Sequence, residues 1–302
     1  MMDVRVLERV SRTAALGLRF WDTAAGTSLI YGLTVDVFPR DNPRARARAY
    51  QNRSGAYVAH RLPVIPPPPD VRAFEFSDSD PAALWSVATG PYRVEVSDPA
   101  ARFLPLAFDA DLPTRGLLTW RAPWLSPPEA IALPTEAGSP PSLLIERIPL
   151  FSAPSRPLPE PLAVVYAQLS EMGSGREMAW CLLTVTIDGV VRGVGLADGR
   201  GRIAVMFPYP EPPRPSLASP PEAHEDFTWQ LTLTAFAPVV SPATPAPAIP
   251  DLADVFGSLA SPRTVVESMF SPGLPLRLAY REALTARTAG SAAADASLLL
   301  VS

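Results

Sequence analysis

Apolar and polar positions alternate along much of this chain, most clearly over residues 180–210, WCLLTVTIDGVVRGVGLADGRGRIAVMFPYP. Leu183, Val185 and Ile187 alternate with Thr184, Thr186 and Asp188. That period of two, rich in β-branched residues, is what a half-buried strand requires. Asp188-Gly189 suits a hairpin turn, because both positions tolerate positive φ. Val190 to Leu196 forms a return strand, and Gly193 and Gly195 mark a bulge or a close backbone approach. Asp198-Gly199-Arg200-Gly201 makes a second turn, and Ile203, Val205 and Phe207 alternate until Pro208. The pattern predicts a three-stranded antiparallel meander with one oily face that a second sheet must cover.

The same device stands earlier in the chain. Residues 32–63 read GLTVDVFPRDNPRARARAYQNRSGAYVAHRLP. Leu33, Val35 and Val37 alternate, Ala45 to Tyr50 returns, Asn52-Arg53-Ser54-Gly55 turns, and Tyr57 to His60 leaves toward Pro63. Setting Gly55 against Gly201 brings Asn52 onto Asp198 and Tyr57 onto Ile203, an internal repeat that argues for two copies of one domain type. Further strands are expected at Leu16 to Asp22, Tyr92 to Val96, Phe103 to Phe108, Leu117 to Trp120, Leu143 to Ile148, Ala163 to Leu169, Phe227 to Phe236, Leu276 to Ala286 and Leu298 to Val301. Residues 1–16 carry Val4, Leu7 and Val10 near helical spacing and read as a short helix, an edge strand or a docking arm, with strand or arm preferred. From Asp251 the pattern changes: Leu252, Val255, Phe256 and Leu259 lie at i, i+3, i+4 and i+7, a helical face that Asp251 can cap. That helix is either a lid over the core or an interface element.

Proline then sets the architecture. The chain has 38 prolines in 302 residues, and proline is confined to loops, edges and strand ends. Many short strands with stiff connections follow, so the fold class is all-β: two tandem antiparallel β-sandwiches, transthyretin-like or Ig-like, with a short helix near residues 251–260. The first sandwich takes residues 1–150 and the second residues 162–302. Between them residues 151–161 form a proline-rich spacer. The stretches 66–69 (PPPP), 210–221 and 238–250 are further proline-rich segments.

Composition removes many activities. Net charge is −4 with 26 basic residues, all of them arginine. There is no basic surplus for a nucleic-acid backbone. Without lysine there is no Schiff-base chemistry and no P-loop lysine. HExxH and GxSxG are absent, and Gly193-Val194-Gly195 lacks the third glycine of a dinucleotide fingerprint. The single cysteine, Cys181, reads as a small buried hydrophobe and can form no internal disulfide. No apolar run reaches the ~20 residues that cross a bilayer. The N-terminus carries scattered charges and not the pattern of a signal peptide, so residence in the cytoplasm is expected, with incorporation into a released particle as an option. Asn52-Arg53-Ser54 matches a glycosylation sequon but is read as a turn.

The residues Asn52, Gly55, Tyr57, Leu62 and Pro63, and more loosely Asp198, Gly201, Ile203, Phe207 and Pro208, resemble the carboxypeptidase-regulatory-like or transthyretin-like β-sandwich. In that family the module is structural or adhesive, which the resemblance implies here. The phrases LRFWDTAAG, RSGAYVAHRLP, DPAARFLPLAFDADLP, IPLFSAPSRP and LAYREALTARTA also resemble accessory proteins of phage-tail-like contractile injection systems.

Remaining chemistry is faint. Glu222, His224, Glu225 and Asp226 offer oxygen ligands and one imidazole, either for a divalent cation or as a solvated loop. Asp109 and Asp111 share one side of a strand, either as paired carboxylates or as turn chemistry. His60 ends a strand, and Trp120 and Trp124 form either core or a contact patch. No catalytic, cofactor-binding or metal residue is assigned. The expected function is a non-enzymatic structural or adaptor subunit of a large assembly, of the contractile injection kind, whose partners are other protein subunits. The alternatives are a module recognising carbohydrate or protein through its loops, and a carboxylate-dependent hydrolase.

Overall fold

The structure is a computed structural model that describes residues 9–10, 14–65, 72–73, 89–114, 117–118, 147–211, 227–237, 246–266, 276–289 and 298–301. The expectations for 66–69, Trp120, Trp124, 143–146, 212–221, 238–245 and the Glu222–Asp226 cluster lie outside these residues. In chain order the strands are β1 (Arg9–Val10), β2 (Leu16–Leu18), β3 (Phe20–Asp22), β4 (Thr34–Pro39), β5 (Ala47–Gln51), β6 (Tyr57–Ala59), β7 (Arg72–Ala73), β8 (Gly90–Ser97), β9 (Leu106–Leu112) and β10 (Ile148–Leu150). There follow β11 (Leu162–Glu171), β12 (Leu182–Ile187), β13 (Val190–Leu196), β14 (Arg202–Pro208) and β15 (Thr228–Phe236). Helix α1 (Leu252–Gly257) comes next, then β16 (Pro262–Val266), β17 (Leu276–Ala279), β18 (Leu284–Thr285) and β19 (Leu298–Val301). The described chain is therefore all-β with one short helix, as the alternation and the proline content predict.

The first half is built on a six-stranded antiparallel sheet in the order β2-β6-β5-β4-β8-β9. Period-two patterning puts Val35, Val37, Val94 and Val96 inside, all buried. The alternate positions face outward and pair across strands: Arg48 with Asp36 at 3.0 Å, Arg46 with Glu95 at 2.8 Å, and Arg93 with Asp109 at 3.1 Å. Each such exposed pair is worth little, about 0–1 kcal/mol, but together they keep the outer face polar. Strand β2 breaks only at Arg19 before β3, which leaves the sheet and pairs in parallel with β10. Phe20, Ile148, Leu150 and Phe151 from this second layer fill the core. Tyr57 meets Phe20 edge-on at 5.3 Å, and its hydroxyl donates to the Ile30 carbonyl and accepts from the Leu33 N–H. At the N-terminus, β1 pairs antiparallel with β7.

The second half is one curled nine-stranded sheet in the order β13-β12-β15-β16-β19-β11-β14, with β17 added to β15 and β18 to β11. The expected β12–β13 hairpin forms, with Asp188 and Gly189 both at positive φ (52° and 74°) and a bulge beside Thr186. The third strand of the expected meander does not join it. Strand β14 pairs antiparallel with β11, from Leu162 opposite Pro208 to Gln168 opposite Arg202. The glycines explain the difference. A Cβ at Gly193 would sit 2.8 Å from Phe207 Cδ1, and one at Gly195 2.9 Å from Val205 Cγ2. β14 therefore lays its side chains onto the bare backbone of β13, face to face, and takes its hydrogen bonds elsewhere. Its run Ile203 to Phe207 is buried on both faces, which a continuous apolar run IAVMF permits and a half-exposed strand does not need.

The two halves share apolar contacts. One continuous cluster joins the first-half core to Trp180, Leu182, Val194, Leu196 and Phe236 of the second half and to Leu252, Val255 and Phe256 of α1. Asp251 caps α1 as expected, accepting from the Ala253 N–H at 2.9 Å. Its other oxygen accepts from Arg93 Nη1 at 2.7 Å, and the Ala107 N–H of β9 bonds the Pro250 carbonyl at 2.9 Å. The helix thus covers core and joins the halves at once. Of residues 151–161, Phe151, Ser152 and Ala153 are buried in the first half, while Pro157, Leu158 and Glu160 are exposed.

Two substitutions test this packing. Phe256→Ala removes the ring that faces Phe151 at 6.3 Å, and is expected to cost ~3–5 kcal/mol in chemical denaturation. Gly195→Ala forces a methyl against Val205 and is expected to cost ~1–3 kcal/mol by the same measurement.

Candidate interaction surface

Three turns of one design shape the protein. After β5, Asn52 Oδ1 accepts from the N–H groups of Ser54 (2.9 Å) and Ala56 (3.0 Å), and the Gly55 N–H bonds the Asn52 carbonyl. Gly55 stands at φ +82°, which a glycine adopts freely. Asp198 repeats the arrangement with the N–H groups of Arg200 (2.8 Å) and Arg202 (3.0 Å), with Gly201 at φ +73°. The sequence repeat finds these two. It misses a third at Asp98, which accepts from Ala100 (3.1 Å) and Arg102 (2.9 Å), because Ala101, at φ +51°, takes the glycine's place. The missed signal is an arginine four residues after the acid. Arg102 Nε lies 2.8 Å from Asp98, and Arg202 Nη2 lies 2.7 Å from Asp198.

The Asn52 and Asp98 turns converge on the loop between β3 and β4. Gln51 Nε2 donates to the Ile30 carbonyl at 2.8 Å, Arg102 Nη2 donates to the Tyr31 carbonyl at 2.6 Å, and Tyr57 holds Ile30 and Leu33. The backbone of this loop is therefore fixed from several sides. Its side chains are not covered: Leu29 is 58% exposed and Tyr31 60%, and Tyr50 of β5 is 69% exposed. Scattered exposed apolar residues are ordinary. Two on one braced loop form a pre-organised end that loses little conformational entropy on docking.

Burial disfavours the Asp98 carboxylate, but the Arg102 side-chain bond, the two backbone N–H bonds and the Arg102 charge outweigh it, so its pKa is lowered. Burial pushes the Tyr57 phenol up, against the opposing Leu33 N–H bond and the Arg102 charge.

The residues singled out for chemistry do not converge. Asp109 is engaged by Arg93 and by Arg40 at 3.1 Å each, while Asp111 and His60 are exposed on separate strands' ends. Cys181 is buried, and burial pushes its thiol up to about 12 against the Phe236 backbone bond and the Arg263 charge. No group of three His, Cys, Asp or Glu residues placed to hold a metal occurs among the described residues. Sequence reading also missed an aromatic cluster at one end of the second sheet. Tyr280 lies 5.0 Å from Tyr209, 6.4 Å from Trp229 and 6.5 Å from Phe227, and the Arg281 N–H bonds the Tyr209 hydroxyl at 2.9 Å. These rings pack on one another. No helix among the described residues is long and apolar enough to cross a membrane.

Leu29→Ala and Tyr31→Ala are expected to leave stability within ~0.5 kcal/mol of the parent in chemical denaturation, as exposed positions do. Asp98→Ala is expected to cost ~1–3 kcal/mol at neutral pH, through the bonds its buried carboxylate makes to the Ala100 and Arg102 N–H groups and the Arg102 guanidinium. Because the folded pKa of Asp98 is depressed, its stabilisation is present above the unfolded carboxylate pKa of ~3.9 and disappears as pH falls through the lower folded value. The parent and Asp98→Ala stability curves therefore converge in acid. Cys181 is expected to resist a thiol reagent at pH 8 in the folded protein and to react fully once unfolded.

No family model and no curated protein matches this chain. Among solved structures it matches the C-terminal fragment of the pilus adhesin SpaC from Lactobacillus rhamnosus GG, 12% identical over 95% of this chain and 96% of that one, with a TM-score of 0.18. A score that low carries no inference about fold or function.

Proposed function

We propose that this chain is a non-enzymatic structural or adaptor subunit of a large protein assembly, and that the assembly is a phage-tail-like contractile injection particle. The observation that carries the first part is the braced loop end that holds Leu29 and Tyr31 in solvent. An immobile backbone with uncovered apolar side chains suits docking against another protein. The apolar cluster joining both halves supports the same reading, since a contact made by one half is transmitted to the other. The particle rests on the resemblance of the quoted sequence phrases, and so does kinship with the transthyretin-like sandwiches. Tyr31 and Tyr50 favour one second reading, an adhesive module recognising carbohydrate or protein, because tyrosine supplies rigid amphipathic contact area.

The test is affinity purification of the tagged full chain from its native host, followed by mass spectrometry, with the Leu29→Ala/Tyr31→Ala double variant alongside. Sheath and tube proteins are expected with the parent and are expected to be depleted with the variant. Recovery of the parent alone contradicts the subunit reading. Binding of the parent to a glycan array, lost in the variant, favours the adhesive one.

A further inference from the structure

The first half ends on β10, which runs parallel to β3, an early strand that follows β2 after one residue. β3 pairs in parallel with β10 through Phe20–Ile148, Trp21–Pro149 and Asp22–Leu150. The chain enters β3 from the N-terminal side and leaves β10 toward the second half. Tension between the two ends of the first half loads β2 on β6 first and then pulls β3 and β10 past each other. In this geometry the ladder bonds share the load and break together, whereas an antiparallel hairpin pulled at its open end unzips one bond at a time. The Ile148 N–H bond to Arg19 and the Thr23 N–H and Oγ1 bonds to Leu150 lie in this same shear plane.

A charged pair sits where the load arrives. Arg156 Nη2 lies 2.7 Å from Asp22 Oδ2 and Nη1 3.0 Å from Asp22 Oδ1, with the two side chains 9% and 3% exposed. Asp22 also accepts from the N–H groups of Ala24 and Ala25. Arg156 also donates to Ser152 Oγ and lies over the Phe103 ring at 4.8 Å. Beyond Arg156 the connector reads PLPEP before β11 begins at Leu162. Three prolines in those five residues make it a stiff strut that passes tension on and absorbs little of it. A buried ion pair adds little net equilibrium stability compared with an apolar replacement. Its two-pronged bonds are, however, short and directional, so they resist small displacements steeply.

We propose that the Asp22–Arg156 pair and the parallel β3–β10 ladder form a mechanical lock, which keeps the first half closed when the second half is pulled away from it. The purpose of such a lock rests on the reading of this chain as a subunit of a force-generating assembly. The lock itself is tested on the isolated chain, so either can fail without the other.

The experiment stretches the full chain between N- and C-terminal handles in an optical trap at one loading rate, with thermal denaturation in parallel. The parent is expected to show a high-force rupture whose length is at least that of the first half. Asp22→Asn/Arg156→Met carries no buried charge. It is expected to keep a thermal midpoint near the parent's and to lose the high-force event. Arg156→Lys keeps the charge without the fork and is expected to rupture at an intermediate force, which keeps the test decisive if the double variant does not fold. A parent without a high-force event, or variants that rupture at the parent's force, overturns the proposal. Forced rupture reports the unfolding barrier and not the equilibrium stability, so a purely thermodynamic role would lower the midpoint and spare the force.

Discussion

Apolar burial across the junction of the two halves is the constraint on which the rest of the structure depends. Leu182, Leu196 and Phe236 leave the second-half sheet on the side that meets Leu252, Val255 and Phe256, and these belong to the same cluster as the valines of the first-half sheet. Neither half covers that surface alone. Exposed, it would be a contiguous oily patch of the kind a soluble chain avoids. Helix α1 is short, and a helix of that length has little stability of its own. Its place comes from packing and from two polar fixings, the Asp251 cap shared with Arg93 and the Pro250 bond to β9.

Arginine makes every ion pair found among the described residues, as it must in a chain whose lysine count is zero. Arg102 ties the Asp98 turn to the loop carrying Tyr31, Arg93 ties β9 to the helix cap, and Arg156 ties the connector to the end of β3. Arg102 and Arg156 each use more than one guanidinium nitrogen, as the rigid fork permits, and Arg93 bridges two acceptors through Nη1. Asp22, Asp98 and Asp251 are thereby engaged in holding backbone in place. What these charges supply in the fold is geometry.

Strand positions were legible because period-two alternation is local, and the helix because Leu252, Val255, Phe256 and Leu259 fall on one face. Strand pairing was less legible. A tight turn at Asp198–Gly201 reads as a hairpin, yet the two glycines of β13 let Phe207 and Val205 seat on its face, and β14 found its ladder on β11. Nothing local in the sequence chooses between those outcomes. The candidate surface divides in the same way. Asn52 and Gly55 announce their turn, and the Asp98 turn could have been found from Arg102. The exposure of Leu29 and Tyr31 could not, because it is set by bonds from Gln51 and Arg102, 21 and 71 residues away along the chain.

The claim most in need of a direct test is that the two halves stand or fall together through their common core. Native-state hydrogen exchange, read peptide by peptide across a denaturant series, measures it. Amides of β8 in the first half and β12 in the second are expected to exchange with the same opening free energy and the same denaturant dependence, as members of one cooperative unit. Two separate opening energies, with one half exchanging while the other stays protected, would contradict it.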